Sequence, residues 1–218
     1  MVTVAAVVEQ IVRESSFLEE GLATGILNLS ALARRMRPEV ERALHKSASA
    51  ASIMMALKRL SPRVAAKSAA TVKLLRQMRD LTVRSNLVEF TFRSSPTVLE
   101  RQRELLHTMA KERDVFLTFT QGVYEVTLIA SAKLAKRIEE VFASERLVSK
   151  LDGLSAIVIS LPSRTVSVPG VHYTLLKQLA FHDLNVVEVV STYRELTFVL
   201  AKDDVDRAFT VLTRFLWP

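Results

Sequence analysis

The chain has 218 residues, 49% of them apolar, and a formal net charge of +7. This composition excludes a predominantly disordered protein, because enough apolar surface is present to bury one or more cores. The absence of cysteine excludes disulfides, a thiolate nucleophile and cysteine-bound metals, and it is typical of a reducing compartment. No apolar run approaches the roughly 18 residues of a membrane span, so we expect a cytoplasmic protein without membrane contact.

The positive charge is concentrated in the N-terminal part of the chain. Residues 1–84 contain 14 Lys and Arg against 7 Asp and Glu, whereas residues 85–218 contain 16 of each class. Such an asymmetry indicates contact with nucleic acid or another anionic surface. The alternative is that these basic helices are simply exposed to solvent.

Residues 1–80 are predicted to form an all-helical domain, since their apolar positions recur at helical spacing and no stretch alternates with a period of two. Asn28 or Ser30 is the predicted N-cap of the helix LSALARRM. Pro38 is predicted to end this helix and to begin the next one. A later helix, ASIMMALKRL, is followed by Pro62 and then by further helix.

Two of these segments are similar to a helix-turn-helix. LSALARRM corresponds to its first helix and ASIMMALKRL to the recognition helix, which lies in the major groove while flanking basic groups contact phosphates. The segment between them is predicted to be much longer than a turn of roughly three to four residues. A helix bundle that binds another protein therefore explains the pattern equally well. The predicted DNA contacts are Arg34, Arg35, Arg37, Lys58, Arg59 and Arg63.

After Asp80 the pattern changes to alternating strands and helices, and one module occurs twice. Residues 121–142 match residues 191–212 without a gap. We predict a first repeat at 81–152 and a second repeat at 153–218. Each repeat is predicted to begin with strand, helix, strand, strand and helix, which is the order of the ferredoxin-like βαββαβ fold.

The first repeat is predicted to contain all six elements of that fold. LTVRSNLVEFTF is a strand, and Thr97 and Glu100 form a capping box for a helix that ends near Arg113. Two strands, VFLTFT and YEVTLIA, precede the second helix, KLAKRIEEVF. RLVSK at 146–150 supplies the last strand.

The second repeat is predicted to lack its last strand. Its elements are the strand LSAIVISL, a helix from Val171 to His182, the strands NVVEVVS and ELTFVLA, and a helix that ends near Phe215. An unpaired strand edge is a template for pairing, so we predict that LTVRS, or a strand of a partner subunit, takes the missing place. The predicted fold class is α+β, with an N-terminal all-helical domain followed by two ferredoxin-like repeats.

Residues 168–212 resemble an ACT domain, most closely the regulatory ACT domains of aspartate kinases. The resemblance rests on Pro169-Gly170-Val171 before a helix, Leu184-Asn185-Val186 before a strand, and Asp206-Arg207-Ala208 in the last helix. Through its alignment to this segment, the first repeat is similar to a diverged ACT domain. The likeness therefore covers residues 86–218.

The resemblance implies that an amino acid or similar small effector binds at an interface between paired domains, and that the chain forms a homo-oligomer through its ACT sheets. A helix start suits the carboxylate of the effector, because unpaired amides and the helix dipole favour an anion. A glycine permits a positive φ at that point. The alternative is a dimerisation domain that binds no ligand. In that case Gly170 and Asn185 only form turns. The implied ligand contacts are Val168, Gly170, Val171, His172, Asn185, Val186 and Val187.

The first repeat lacks the glycine and the asparagine of these implied ligand contacts. At an offset of 70 residues, Glu100 occupies the position of Gly170, and Val115 occupies that of Asn185. An acidic side chain at this place repels a carboxylate. We therefore expect the first repeat to be a scaffold and the second repeat to hold the effector.

Known enzyme motifs are absent from the sequence. None of the four His residues has the spacing of metal ligands, and the chain has no P-loop, G-x-G-x-x-G or G-x-S-x-G motif. We expect no catalysis, no cofactor and no metal. The predicted function is amino-acid sensing that controls DNA binding by the N-terminal helices. The alternative is a non-catalytic accessory subunit that binds an amino-acid biosynthetic enzyme.

Overall fold

The computed structural model describes residues 2–78, 80–109, 112 and 114–218. The chain divides into two units, Met1–Leu74 and Leu75–Pro218. In the described part of the chain, no helix is both long and apolar enough to cross a bilayer.

The first unit consists of helices that pack around one apolar core. They are α1 (Val4–Arg13), α2 (Ser16–Thr24), α3 (Leu29–Leu44) and α4 (Ala50–Leu75). Side-chain oxygens of Thr3, Ser15 and Asn28 accept hydrogen bonds from the first-turn amides of α1, α2 and α3, which confirms Asn28 as a predicted cap. The core contains Val8, Val12, Leu22, Ala33, Met36, Val40, Ile53 and Leu57.

Pro38 lies inside α3, so the predicted helix break at this residue is wrong. A proline has no amide hydrogen and leaves the carbonyl of Arg34 without its helical partner. Because Pro38 is exposed, that side of the helix is open to water and the helix continues. Pro62 lies inside α4 in a similarly exposed position. Only residues 45–49 separate α3 from α4, and most of the long segment that we expected between the two predicted DNA-binding helices belongs to α3.

The second unit is a six-stranded antiparallel sheet with helices on one face. The strand order is β2-β3-β1-β4-β6-β5, which confirms the predicted α+β class with ferredoxin-like repeats. In chain order the elements are β1 (Leu81–Arg93), α5 (Val98–Thr108), β2 (Leu117–Gln121), β3 (Glu125–Ser131), α6 (Ala135–Val141), β4 (Leu147–Ser160), α7 (Val171–Ala180), β5 (Glu188–Ser191), β6 (Glu195–Ala201) and α8 (Val205–Leu216).

The strands β1 and β4 are long, with 13 and 14 residues, and each takes part in both repeats. Residues 87–93 of β1 pair with β3 and form the first strand of repeat one. Residues 81–84 of β1 pair with residues 156–159 of β4 and occupy the missing fourth place of repeat two. This pairing confirms that LTVRS completes the second repeat.

The sharing is reciprocal. Residues 147–154 of β4 pair with the second half of β1 and complete repeat one, as predicted for RLVSK. Residues 154–160 pair with β6 and begin repeat two. The predicted boundary at 152 therefore lies within a continuous strand. The two halves of β1 meet at a register shift that contains Asn86, whose φ is 57°.

The sheet buries apolar side chains on both faces. Phe90 and Phe92 pack against the helices of repeat one, and Ile157 and Phe198 pack against those of repeat two. The opposite face holds a smaller buried cluster of Leu87, Ile129, Leu154, Ala156 and Val199. Side chains near both edges of the sheet, Phe116 before β2 and Val190 on β5, pack against this one cluster. The sheet therefore curls over its open face.

The start of α5 differs from the predicted capping box. The Thr97 hydroxyl makes no bond to the helix and instead donates to Glu145 Oε1 at 2.7 Å. Ser95 Oγ accepts from the Val98 amide at 3.1 Å and donates to Glu145. Hydrogen bonds from Ser95 and Thr97 hold the pKa of the Glu145 carboxyl below its usual range. The helix ends at Thr108, and Arg113, where we predicted its end, lies outside the described residues.

The C-terminal end of repeat two is tied to the segment that precedes β1. The Trp217 indole Nε1 donates to the carbonyl oxygen of Met78 at 2.9 Å. Met78 and Leu216 are buried in the same apolar core. The C-terminal end of repeat two thus holds the segment that leads into β1.

Candidate functional site

The loop before α7 uses the positive φ that a glycine permits. Gly170 has a φ of 86°, in the left-handed region that favours glycine. An added Cβ would meet no atom within 4 Å, so backbone conformation, and not space, selects glycine. The Gly170 carbonyl accepts bonds from the Thr174 amide at 2.9 Å and the Thr174 hydroxyl at 2.7 Å. The first turn of α7 follows directly, and amides of a first turn have no intrahelical acceptor.

The side chains around this loop have different exposures. Val171 is buried in the core of repeat two, and Val168 is half-buried against it. His172 is exposed on the first turn of α7. Of the predicted contacts in the loop, Gly170 and His172 are therefore open to a ligand, whereas Val171 mainly fixes the helix on the sheet.

The second group of predicted contacts lies before β5. Asn185 is exposed, whereas Val186 and Val187 are half-buried. The Val187 amide donates to the Val199 carbonyl at 2.8 Å, which extends the pairing between β5 and β6. Asn185 is the member of this group whose polar side chain is free to meet a ligand.

The two groups lie at opposite ends of α7. The loop that leads to Gly170 leaves β4 at Ser160, at the end of the sheet where β5 finishes. Asn185 precedes β5 and lies at the other end. The 10 residues of α7 span about 15 Å between them. One repeat therefore does not bring Gly170 and Asn185 to the same small molecule.

All six predicted DNA contacts are exposed on α3 or α4. Arg37 forms an ion pair with Glu41 at 3.0 Å, and Arg63 forms one with Glu9 at 3.4 Å. Arg34 donates to the Ser30 hydroxyl at 3.1 Å. Arg35, Lys58 and Arg59 form no ion pair with any residue that the structure describes.

In repeat one, the residues at the positions of Gly170 and Asn185 have other surroundings. Glu100 is exposed in the first turn of α5, and Val115 is half-buried against the core of that repeat. Neither offers a positive φ or a free amide side chain. Among the described residues, no group of three or more His, Asp or Glu side chains is arranged to hold a metal ion.

Glu89 is a buried polar residue that the sequence interpretation missed. Its side chain is 5% exposed on the open face of the sheet, and its Oε2 has no hydrogen-bond partner among the described residues. Burial, followed by the negative charge of Glu188, raises the pKa of the Glu89 carboxyl. The alternation in LVEFTF places Glu89 opposite the phenylalanines, but its burial depends on the curl of the sheet.

Comparisons with known proteins identify the fold. No family model matches the chain, and no curated protein matches it significantly. Among solved structures, the regulatory subunit of aspartate kinase from Thermus thermophilus has a TM-score of 0.51 and 11% identity, covering 63% of this chain and 97% of that chain. The aspartate kinase of Clostridium acetobutylicum has a TM-score of 0.52 and 13% identity, covering 64% and 35% of the two chains.

A further match is E. coli aspartokinase III, in a complex with aspartate and ADP. Its TM-score is 0.51 and its identity 17%, over 65% of this chain and 34% of that chain. About two thirds of this chain, 63–65%, thus aligns with about a third of each of the two kinases and with nearly all of the regulatory subunit. At such identities the likeness shows a shared fold. The expected ACT-like architecture is confirmed.

Replacing Glu89 with Gln tests its ionisation. A carboxyl whose pKa is raised by folding destabilises the protein as pH rises, because the folded state binds the proton more tightly than the unfolded chain. We expect Glu89→Gln to raise the free energy of unfolding at neutral pH by about 1–3 kcal/mol. The gain should shrink as pH falls toward about 4. Urea unfolding at several pH values measures it.

Glu188→Gln is the matched control, since Glu188 is only half-buried and its own substitution should give a smaller gain. A difference between wild type and Glu89→Gln that stays constant with pH would contradict a Glu89 carboxyl whose pKa is raised by folding.

Proposed function

We propose that this chain is a regulatory protein that binds an amino acid or a similar small metabolite and thereby controls DNA binding by its basic helices. In this proposal residues 1–80 contact DNA, residues 81–152 form the supporting repeat, and residues 153–218 form the ligand-binding repeat. The observation that carries it is Gly170 with its positive φ at the start of α7, in a fold shared with the regulatory part of aspartate kinases. The protein acts in the cytoplasm without catalysing a reaction.

The proposed site uses the two ends of α7 from different copies of the chain. The ligand carboxylate binds at the first-turn amides after Gly170, where the helix dipole favours an anion. Asn185 of a second copy donates to or accepts from the ligand, since the Asn185 of the same repeat lies about 15 Å away. Ligand binding therefore favours a homo-oligomer in which two second repeats face each other.

Control of DNA binding follows from that pairing. A ligand that binds at the contact between two copies shifts the equilibrium between their arrangements, in proportion to its difference in affinity for each. The exposed basic side chains on α3 and α4 then meet the phosphates of one duplex in the favoured arrangement. Arg35, Lys58 and Arg59 are the best placed for these phosphate contacts, because none of them forms an ion pair with a described residue.

A second candidate function is a non-catalytic accessory subunit of an amino-acid biosynthetic enzyme. It is favoured by the match to an aspartate kinase regulatory subunit, nearly all of which is covered. In that case the helices α3 and α4 bind protein, and a tagged chain isolates one stable enzyme partner while labelled DNA binds weakly.

The ligand half of the proposal is tested by thermal unfolding with each of the twenty amino acids at millimolar concentration. A ligand that binds only the folded state adds RT ln(1 + [L]/Kd) to its stability, about 2.7 kcal/mol at a hundredfold excess over Kd. We expect at least one amino acid to raise the melting temperature. Asn185→Ala should reduce that rise without changing the melting temperature of the free protein, because Asn185 is exposed.

Glu100→Ala is the matched control in repeat one, and it should leave the ligand effect unchanged. Absence of any stabilisation by all twenty amino acids would remove the sensing half of the proposal.

The DNA half is tested by fluorescence anisotropy of a labelled duplex at several salt concentrations. A triple substitution of Arg35, Lys58 and Arg59 by Ala should weaken binding and lower the salt dependence of log K by about 0.9 for each phosphate that the variant no longer neutralises. The control is the triple substitution of Arg103, Lys136 and Lys202 by Ala, which removes the same charge from exposed positions in the second unit. Equal affinity of the two variants would contradict DNA binding through α3 and α4.

A further inference from the structure

A cavity lies on the open face of the sheet, between the two repeats. Its volume is about 280 Å³, and side chains of both repeats line it. Repeat one contributes the segment around the start of β2, and repeat two contributes the hairpin of β5 and β6. Neither Gly170 nor Asn185 lines this cavity, so it is separate from the site of the proposed function.

Two opposite charges face this cavity without meeting. Arg84 comes from the half of β1 that completes repeat two, and Glu195 begins β6. They form no ion pair with each other, and no other described residue pairs with either of them. A molecule that carries both a carboxylate and an ammonium suits such a pair, because each charge of the ligand meets an unoccupied opposite charge.

The cavity also contains an unused hydrogen-bonding group. Thr118 Oγ1 is buried and has no partner among the described residues. Buried polar atoms in folded proteins are rarely left without a partner. Glu89 lies on the same face two strands away, because Ile129 pairs with both Thr118 and Glu89, and its Oε2 is unpartnered as well.

The rest of the cavity wall is partly apolar, and Thr192 and Thr197 add polar side chains to it. Phe116 and Val190 are half-buried in the lining, and Val158 lines it from the central strand β4. Small-molecule sites combine such an apolar wall with a few converging polar groups. An aliphatic or aromatic side chain therefore fits against this wall while the charged end of the ligand lies at Arg84 and Glu195.

We propose that this cavity is a binding site for a small zwitterion, a free α-amino acid being the simplest case. The ligand carboxylate binds the Arg84 guanidinium, the ammonium binds the Glu195 carboxylate, and the Thr118 hydroxyl donates to or accepts from the same end. The ligand bridges the two repeats within one chain, and its binding does not require a second copy.

The test uses isothermal titration of the full chain with each of the twenty amino acids. For an amino acid that binds, its methyl ester and its α-hydroxy acid analogue, which each lack one charge, should bind at least about tenfold more weakly. Arg84→Gln and Glu195→Gln should each lower the affinity by a similar factor. Glu125→Gln, at the position in repeat one that corresponds to Glu195, is the control and should bind as the wild type does.

Thr118→Val separates a binding role from a structural one. Since the hydroxyl has no partner among the described residues, this substitution should leave the melting temperature of the free protein unchanged or raise it, while lowering the affinity for the amino acid. No binding by any amino acid, or binding that survives Arg84→Gln and Glu195→Gln but is abolished in Asn185→Ala, would overturn the proposal, and the second result would instead support the site at α7.

Discussion

The sharing of β1 and β4 between the two repeats is the constraint on which the second unit depends. Residues 81–84 complete the sheet of repeat two, and residues 147–154 complete that of repeat one. A strand without this partner would expose a row of unpaired amides and carbonyls, which is a template for aggregation. Each repeat therefore needs the other to complete its sheet, and we expect the duplicated module to fold as one unit.

The same sharing creates the surfaces on which function is proposed. The sheet built on the two shared strands curls, so that Phe116 and Val190, from near its two edges, pack against one cluster and line one cavity. This enclosed face holds the unpartnered Glu89 and the cavity with Arg84 and Glu195. The α7 site differs, since its two parts face outward at opposite ends of a helix. We thus propose one site within the chain and one between copies.

The order of elements was predictable from the sequence, because strand alternation, helical spacing and a repeat without a gap are local signals. LTVRS was one of two predicted sources of the missing strand, the other being a partner subunit, and the predicted boundary at 152 falls inside the shared strand β4. The sequence indicated only that Gly170 permits a positive φ, which the structure has. Three features were not predictable. The continuity of α3 through Pro38 depends on solvent exposure, the absence of the Thr97 cap depends on Glu145 from a distant segment, and the burial of Glu89 depends on the curl of the sheet. Each of the three depends on surroundings that exist only in the folded chain, which a local pattern does not contain.

The most direct measurement of the shared-strand account uses Trp217, the only tryptophan in the chain, as a reporter of repeat two. Phe142 is buried in repeat one, where its ring lies 4.8 Å from that of Phe92, and Phe142→Ala should cost about 3–5 kcal/mol. If the repeats fold as one unit, the denaturant midpoint of Trp217 fluorescence falls with this substitution. A midpoint that stays at the wild-type value, while circular dichroism shows a separate transition at lower denaturant, would contradict the account.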